Sequence, residues 1–157
     1  AHAIEDAGAS WLTVHARTKA DGYTPPAYWE KIQPIQDALK INVIANGEIW
    51  NNADAKACQQ QSACQDLMIG RGAVTTPDLT LCIRQNRDEA LLSWQDLVEL
   101  QLRFVNGAFK TEIGMVGRYK QWLGMMSKAY PEAKALWNEI KRLKTLDEIV
   151  GKLQSHP

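Results

Sequence analysis

Cysteine is scarce, with three in 157 residues at positions 58, 64 and 82. They form no C-x-x-C pair and cannot all pair with one another, so a disulfide framework is excluded. Cys58-x5-Cys64 has no second pair, and His2, His15 and His156 lie far apart, so no metal-ligand spacing occurs. Long apolar runs are missing as well. None approaches the roughly 18 residues of a membrane span, and no basic-then-apolar run opens the sequence. There is no excess charge of one sign, with 18 Lys+Arg against 18 Asp+Glu. No Walker A loop, G-x-G-x-x-G or Ser/His/Asp set is found. A reducing, cytoplasmic compartment without membrane or metal is the expectation. What is present is ordinary for a globular chain: 45% hydrophobic and 23% charged residues, with six tryptophans, some of which should be buried.

The first half alternates between short apolar strand-like runs and helical segments. Residues 2–7 read as a helix ended by Gly8, and Trp11-Leu12-Thr13-Val14 as an aromatic and β-branched strand. After a loop with Gly22, Pro25 and Pro26, residues 28–39 show helical spacing, with Ile32, Ile35 and Leu39 on one face. Val43-Ile44-Ala45 and Leu67-Met68-Ile69 read as buried-type strands, with a helix at 53–61 between them capped by Asn51 or Asn52. A further helix is expected at 77–84, with Pro77 near its start. Short apolar strands separated by amphipathic helices predict parallel β-structure and an α/β fold. After about residue 88 no strand signal recurs. Helices are expected at 91–105, 117–129, 133–143 and 146–153, with Ser93 and Asp96 as a capping pair and residues 110–114 as a loop. The predicted organisation is therefore an α/β part, 1–87, followed by an all-α part, 88–157. Three strands cannot close a barrel, so the chain reads as the C-terminal part of a longer protein.

The unusual residues gather at the strand ends, where parallel α/β folds bind ligands. The first strand runs into His15-Ala16-Arg17-Thr18, the second into Asn46-Gly47-Glu48-Ile49, and the third into Gly70-Arg71-Gly72-Ala73. Gly70-Arg71-Gly72 suits a phosphate, because glycines let backbone N–H groups approach an anion and arginine adds charge and a fork of donors. It also suits a plain tight turn. His15 is either a hydrogen-bonded structural residue or a donor to an electron-rich ring edge. Cys58, Cys64 and Cys82 read as packing residues. Residues 118–144 carry seven basic side chains (Arg118, Lys120, Lys128, Lys134, Lys141, Arg142 and Lys144) against Glu132 and Glu139. Such a stretch is either a solvated face or a surface for an anionic partner. Lys134, Lys141 and Lys144 recur near one helical face with Arg142 beside it, and Leu136, Ile140 and Leu143 lie on the other. Trp122 reads either as a core anchor or as a platform for an unpaired base.

Leu12-Thr13-Val14-His15-Ala16-Arg17-Thr18, Val43-Ile44-Ala45-Asn46-Gly47-Glu48-Ile49 and Leu67-Met68-Ile69-Gly70-Arg71-Gly72-Ala73 together resemble the sixth, seventh and eighth barrel strands of the tRNA-dihydrouridine synthases. Arg118-Tyr119-Lys120-Gln121-Trp122-Leu123 is similar to the basic stretch of that family's C-terminal helical domain. Gln121 stands where the family has a histidine, which looks most like the bacterial C-type subgroup. The resemblance implies the C-terminal portion of a TIM (β/α)8 barrel plus a helical-bundle domain. It implies FMN as cofactor, NADPH as reductant, and tRNA as the partner whose uridine, at position 16, becomes 5,6-dihydrouridine. Matched residue by residue, Asn46, Gly47 and Glu48 fall on the flavin-binding loop, Gly70 and Arg71 on its phosphate end, and His15 beside the flavin ring. Arg118, Lys120, Lys141 and Arg142 are the expected tRNA contacts. The family's catalytic cysteine and flavin-contacting lysine belong to earlier strands, so this chain alone is expected to be inactive, and the complete protein to be a monomer. Two other readings are a small-molecule FMN oxidoreductase on the same barrel and a non-catalytic RNA-binding fragment.

Overall fold

The computed structural model describes residues 1–107 and 112–156. Two compact units form, one from Ala1–Ala73 with Leu79–Glu89 and the other from Val74–Asp78 with Ala90–Pro157. Relative to the expected division at residues 87 and 88, the second unit takes in Val74–Asp78 from further up the chain.

In the first unit, β1 (Trp11–His15), β2 (Asn42–Asn46) and β3 (Asp66–Met68) form a parallel sheet in the order β1-β2-β3. Helix α1 (His2–Asp6) precedes it. All three strands lie within one residue of their expected ends. The register sets His15 opposite Asn46 and Asn46 opposite Met68, so the carboxyl ends of the strands form one row. Val43 and Ala45 are fully buried, as the inner strand of a parallel sheet requires. Ala16, Ile32, Leu39, Ile49, Ala55, Cys58 and Cys64 join that core.

The helix expected at 28–39 is two elements, a 3-10 turn (Trp29–Lys31) and α2 (Gln33–Ala38). Pro34 has no N–H to give the carbonyl four residues back, so it fits the first turn of a new helix and not the middle of an old one. Helix α3 (Asn52–Ser62) is capped by Asn51, whose side chain accepts from the Asp54 N–H at 2.8 Å. Asn52 turns inward and donates to Asn86 Oδ1 and Asp88 Oδ1, each at 3.1 Å. Gly70-Arg71-Gly72, read as either a phosphate loop or a tight turn, runs instead into a short helix, α4 (Arg71–Thr75). The helix expected from Pro77 begins later, as α5 (Leu79–Arg84). Asp78 is used otherwise: its carboxylate accepts the backbone N–H groups of Leu91 and Leu92.

The second unit holds α6 (Trp94–Gly107), α7 (Glu112–Met126), α8 (Pro131–Ile140) and α9 (Leu146–Ser155). Ser93 and Asp96 cap α6 reciprocally, Ser93 N–H to the carboxylate at 2.8 Å and Asp96 N–H to the hydroxyl at 3.2 Å. Of the expected loop at 110–114, Lys110 and Thr111 lie outside the described residues, while Glu112 to Gly114 are the first turn of α7. That helix carries Gly114, Gly117 and Gly124, and its anchor is the buried stripe Met115, Tyr119, Leu123 and Met126. Pro131 opens α8 from its first turn. Helix α9 starts with a capping box, Thr145 with Glu148, which the sequence reading did not single out.

The polar centre of this core is a relay. Tyr119 Oη donates to Gln101 Oε1 at 2.9 Å, and Gln101 Nε2 donates to the Leu97 carbonyl at 2.9 Å, with Tyr119 and Gln101 both fully buried. Tyr119→Phe deletes the donor and leaves the Gln101 oxygen buried and unmet. The expected cost is about 1–3 kcal/mol in urea unfolding, read as a lower midpoint at unchanged slope.

Candidate functional site

At the carboxyl end of the sheet lies a cavity of about 310 Å³ lined by His15, Tyr23, Asn46, Gly47, Glu48, Ile49, Trp50, Met68, Gly70, Arg71 and Gly72. Three loops supply it, one from each strand, because the register ends all three strands in the same row. Side chains tie that row together. His15 Nδ1 and Asn46 Oδ1 are 2.6 Å apart, and Asn46 Nδ2 donates to the Met68 carbonyl at 2.7 Å. With its amide nitrogen so used, Asn46 presents only an acceptor to His15. The imidazole therefore carries its proton on Nδ1, and in the neutral ring Nε2 remains an acceptor.

Two glycines fix the backbone here. Gly47 has φ +129°, a region open to glycine, and a Cβ there would sit 3.2 Å from Ala27 Cβ. Its carbonyl accepts the Trp29 indole N–H at 2.7 Å. At Gly72 a Cβ would lie 2.1 Å from the Ile49 carbonyl oxygen, so the second and third loops approach only because that side chain is missing.

Glu48 is the electrostatic centre. Its backbone is left-handed, φ 49°, which is rare for a residue with a side chain. Both carboxylate oxygens are used: Oε2 accepts the Trp50 indole N–H at 2.9 Å, while Oε1 accepts Arg17 Nη1 at 2.9 Å and Arg71 Nη2. Burial is the largest influence on this carboxyl and pushes its pKa up. The Trp50 and Arg17 hydrogen bonds and the two guanidinium charges outweigh it, so the net shift is down. Arg71 also lies over the Tyr23 and Trp50 rings, with its guanidinium carbon 4.8 and 5.2 Å from their centroids.

The expected residues His15, Asn46, Gly47, Glu48, Gly70 and Arg71 thus line one cavity. Sequence reasoning missed Tyr23 and Trp50, and gave Arg17 no role although it stands in the strand-end string His15-Ala16-Arg17-Thr18. Trp50 stands two residues beyond Glu48, which is its only local signal. Tyr23 sits in a loop without one. Cys58, Cys64 and Cys82 are buried, form no disulfide and do not line the cavity. Burial pushes the Cys58 thiol up to about 11. Among the described residues no group of three or more His, Cys, Asp or Glu is placed to hold a metal ion, and no helix is long and apolar enough to cross a membrane.

The expected RNA contacts divide. Arg118, Lys141 and Arg142 are exposed, as are Lys134 and Lys144. Lys120 is not a free surface cation: its ammonium donates to the carbonyls of Lys141, at 3.1 Å, and Leu143, ending α8 in the manner of a C-cap. Trp122 is half-buried, its indole N–H donating to the Val74 carbonyl at 3.0 Å and its rings meeting Phe104 edge-on at 4.9 Å, which is the core-anchor arrangement. Leu136 and Ile140 are buried as expected, but α8 ends at Ile140, so of the expected cationic helix face only Lys134 lies on the helix, and Lys141, Arg142 and Lys144 follow its end.

A parallel α/β sheet with a cavity at its strand ends, Arg71 among the lining residues, has that cavity where α/β folds commonly bind ligands. The sequence profile described as dihydrouridine synthase matches residues 1–155, and the chain belongs to that family. It is 43% identical over 154 residues to the tRNA-dihydrouridine(16) synthase of Shewanella oneidensis, covering 97% of this chain and 48% of that protein. With the protein of the same name from Pseudomonas putida it shares 44% over 148 residues, 90% of this chain and 46% of that one. The Yersinia pestis relative of that name is 40% identical over 157 residues, 98% of this chain and 50% of the other. The chain spans about half the length of these relatives.

Glu48→Gln removes the counter-charge of a buried arginine and is expected to cost about 3 kcal/mol near pH 7. The pH profile gives the sign. The carboxyl titrates below its ordinary 4.5 in the folded chain, so its contribution is complete above that value and is lost as pH falls through the lowered one. Thermal unfolding of both proteins across the acidic range should show the difference closing as the pH falls.

Proposed function

We propose that this chain is the C-terminal part of an enzyme that reduces uridine 16 of tRNA to 5,6-dihydrouridine in the cytoplasm, with FMN as cofactor and NADPH as reductant. The observation that carries the reading is the similarity over 97% of the chain to a tRNA-dihydrouridine(16) synthase, matched to the C-terminal half of that protein. The three strands and their helices are then the last third or so of a (β/α)8 barrel, and α6 to α9 its helical tRNA-binding domain.

The cavity residues fit FMN. The cavity is open at strand carboxyl ends, is walled by Tyr23, Trp50 and Met68, and has the loops around Ile49 and Gly72 close enough together that a Cβ would fill the gap. Arg71 supplies positive charge at its edge. Asn46, Gly47, Glu48, Gly70 and Arg71 would hold the cofactor, and His15 would stand beside its ring system. When bound, the flavin supplies hydride to the uracil ring. This chain's own residues bind and orient: Asn46 fixes the His15 tautomer, and Glu48 fixes the Arg17 guanidinium and meets that of Arg71. The proton-donating cysteine is assigned to the remainder of the protein, in keeping with the burial of Cys58, Cys64 and Cys82 away from the cavity. Arg118, Lys141 and Arg142 are assigned to tRNA phosphates.

Mass spectrometry of tRNA tests the reading. The full-length protein, expressed in cells lacking dihydrouridine at position 16, should restore it, and its Arg71→Ala variant should bind FMN about 1.5–3 kcal/mol more weakly. Unmodified tRNA, or unchanged flavin affinity, would contradict the respective assignment. For the RNA surface, Lys141→Ala and Arg142→Ala should each lower the slope of log affinity against log salt by up to about one unit, with flavin content unchanged.

A further inference from the structure

Glu48 accepts from two arginines at one oxygen, and these two are not equivalent. The Arg17 side chain is 0% exposed, whereas that of Arg71 is 40% exposed. Arg17 Nε also donates to the Pro26 carbonyl at 3.3 Å, its Nη2 is buried with no hydrogen-bond partner, and it does not line the cavity. Arg71 does line it, and its other contacts are the faces of two aromatic rings. One carboxylate between two cations leaves a positive charge over. Taking Arg17 away from Glu48 would strand a charge in the interior, which is costly. When Arg71 leaves instead, Glu48 keeps Arg17 on Oε1 and the Trp50 indole on Oε2. Arg71 is therefore the partner that can move.

We infer that Arg17 is a positioning residue of the cavity: it holds the Glu48 carboxylate permanently, so that Arg71 can leave Glu48 and set its guanidinium on the phosphate of a flavin mononucleotide. The inference rests on the cofactor reading above and adds to it a residue that never touches the cofactor. Without Arg17, the carboxylate has Arg71 as its one cation, and Arg71 is retained there. Phosphate recognition then fails even though every residue lining the cavity is intact.

Riboflavin, which lacks the phosphate, isolates the effect. Dissociation constants of FMN and riboflavin are measured by flavin fluorescence on the full-length protein stripped of cofactor. The wild type should prefer FMN. Arg17→Met should cut that preference roughly tenfold while leaving riboflavin affinity unchanged. Arg17→Met combined with Glu48→Gln removes both buried charges, leaves Arg71 no carboxylate to hold it, and should restore the preference. An Arg17→Met protein with the wild-type preference would overturn the inference, and so would a double variant whose preference stays low. If the single variant does not fold, the double variant decides by the same readout. A wild type that binds both flavins equally would overturn the cofactor reading itself, and the inference with it.

Discussion

A carboxylate held between two guanidiniums and an indole organises the candidate site. Glu48 could not take this place from an ordinary strand end. It sits at φ 49° directly after Gly47 at φ +129°, and two consecutive residues with positive φ turn the chain sharply out of β2. That turn points the carboxylate toward the loop after β1, which carries Arg17, and toward the start of α4, which carries Arg71. The strain of a left-handed glutamate is offset by three charge-assisted or indole hydrogen bonds in a partly dry environment. Three loops are thereby fastened at one point.

The neighbouring row His15, Asn46 and Met68 has a different logic. Parallel pairing in register places the three residues side by side, and the Asn46 amide then links the histidine ring to the backbone of β3. The hydrogen bond of the structural reading of His15 is present, and in the neutral ring it leaves Nε2 an acceptor, not the donor that the functional reading called for.

In the helical unit the basic residues separate by what they touch. Lys120 lies on α7, and its ammonium meets carbonyls at the end of α8, where the helix dipole favours a cation. Its charge maintains the turn from which Lys141, Arg142 and Lys144 project. A count of charges along the sequence treats all four alike, yet Lys120 belongs to the architecture of the patch and the others to its surface.

Much of this was legible in the sequence. Short apolar and β-branched runs and helical spacing determined the three strands, the four helices of the second half, the Ser93 cap and the buried positions Leu136 and Ile140, because these depend on neighbours within a few residues. The strand-end strings also marked six residues of the cavity. What only tertiary structure decided were the pairings between distant segments. Arg17 and Glu48 are 31 positions apart, Glu48 and Arg71 are 23, and Lys120 and Leu143 are 23. No local pattern records such separations. Pro34 splitting one expected helix in two was readable from a local rule, whereas the helix Arg71–Thr75, with Gly72 in its first turn, was not. There a glycine is required by the Ile49 carbonyl 2.1 Å from where its Cβ would be, an approach set by the packing of one loop on another.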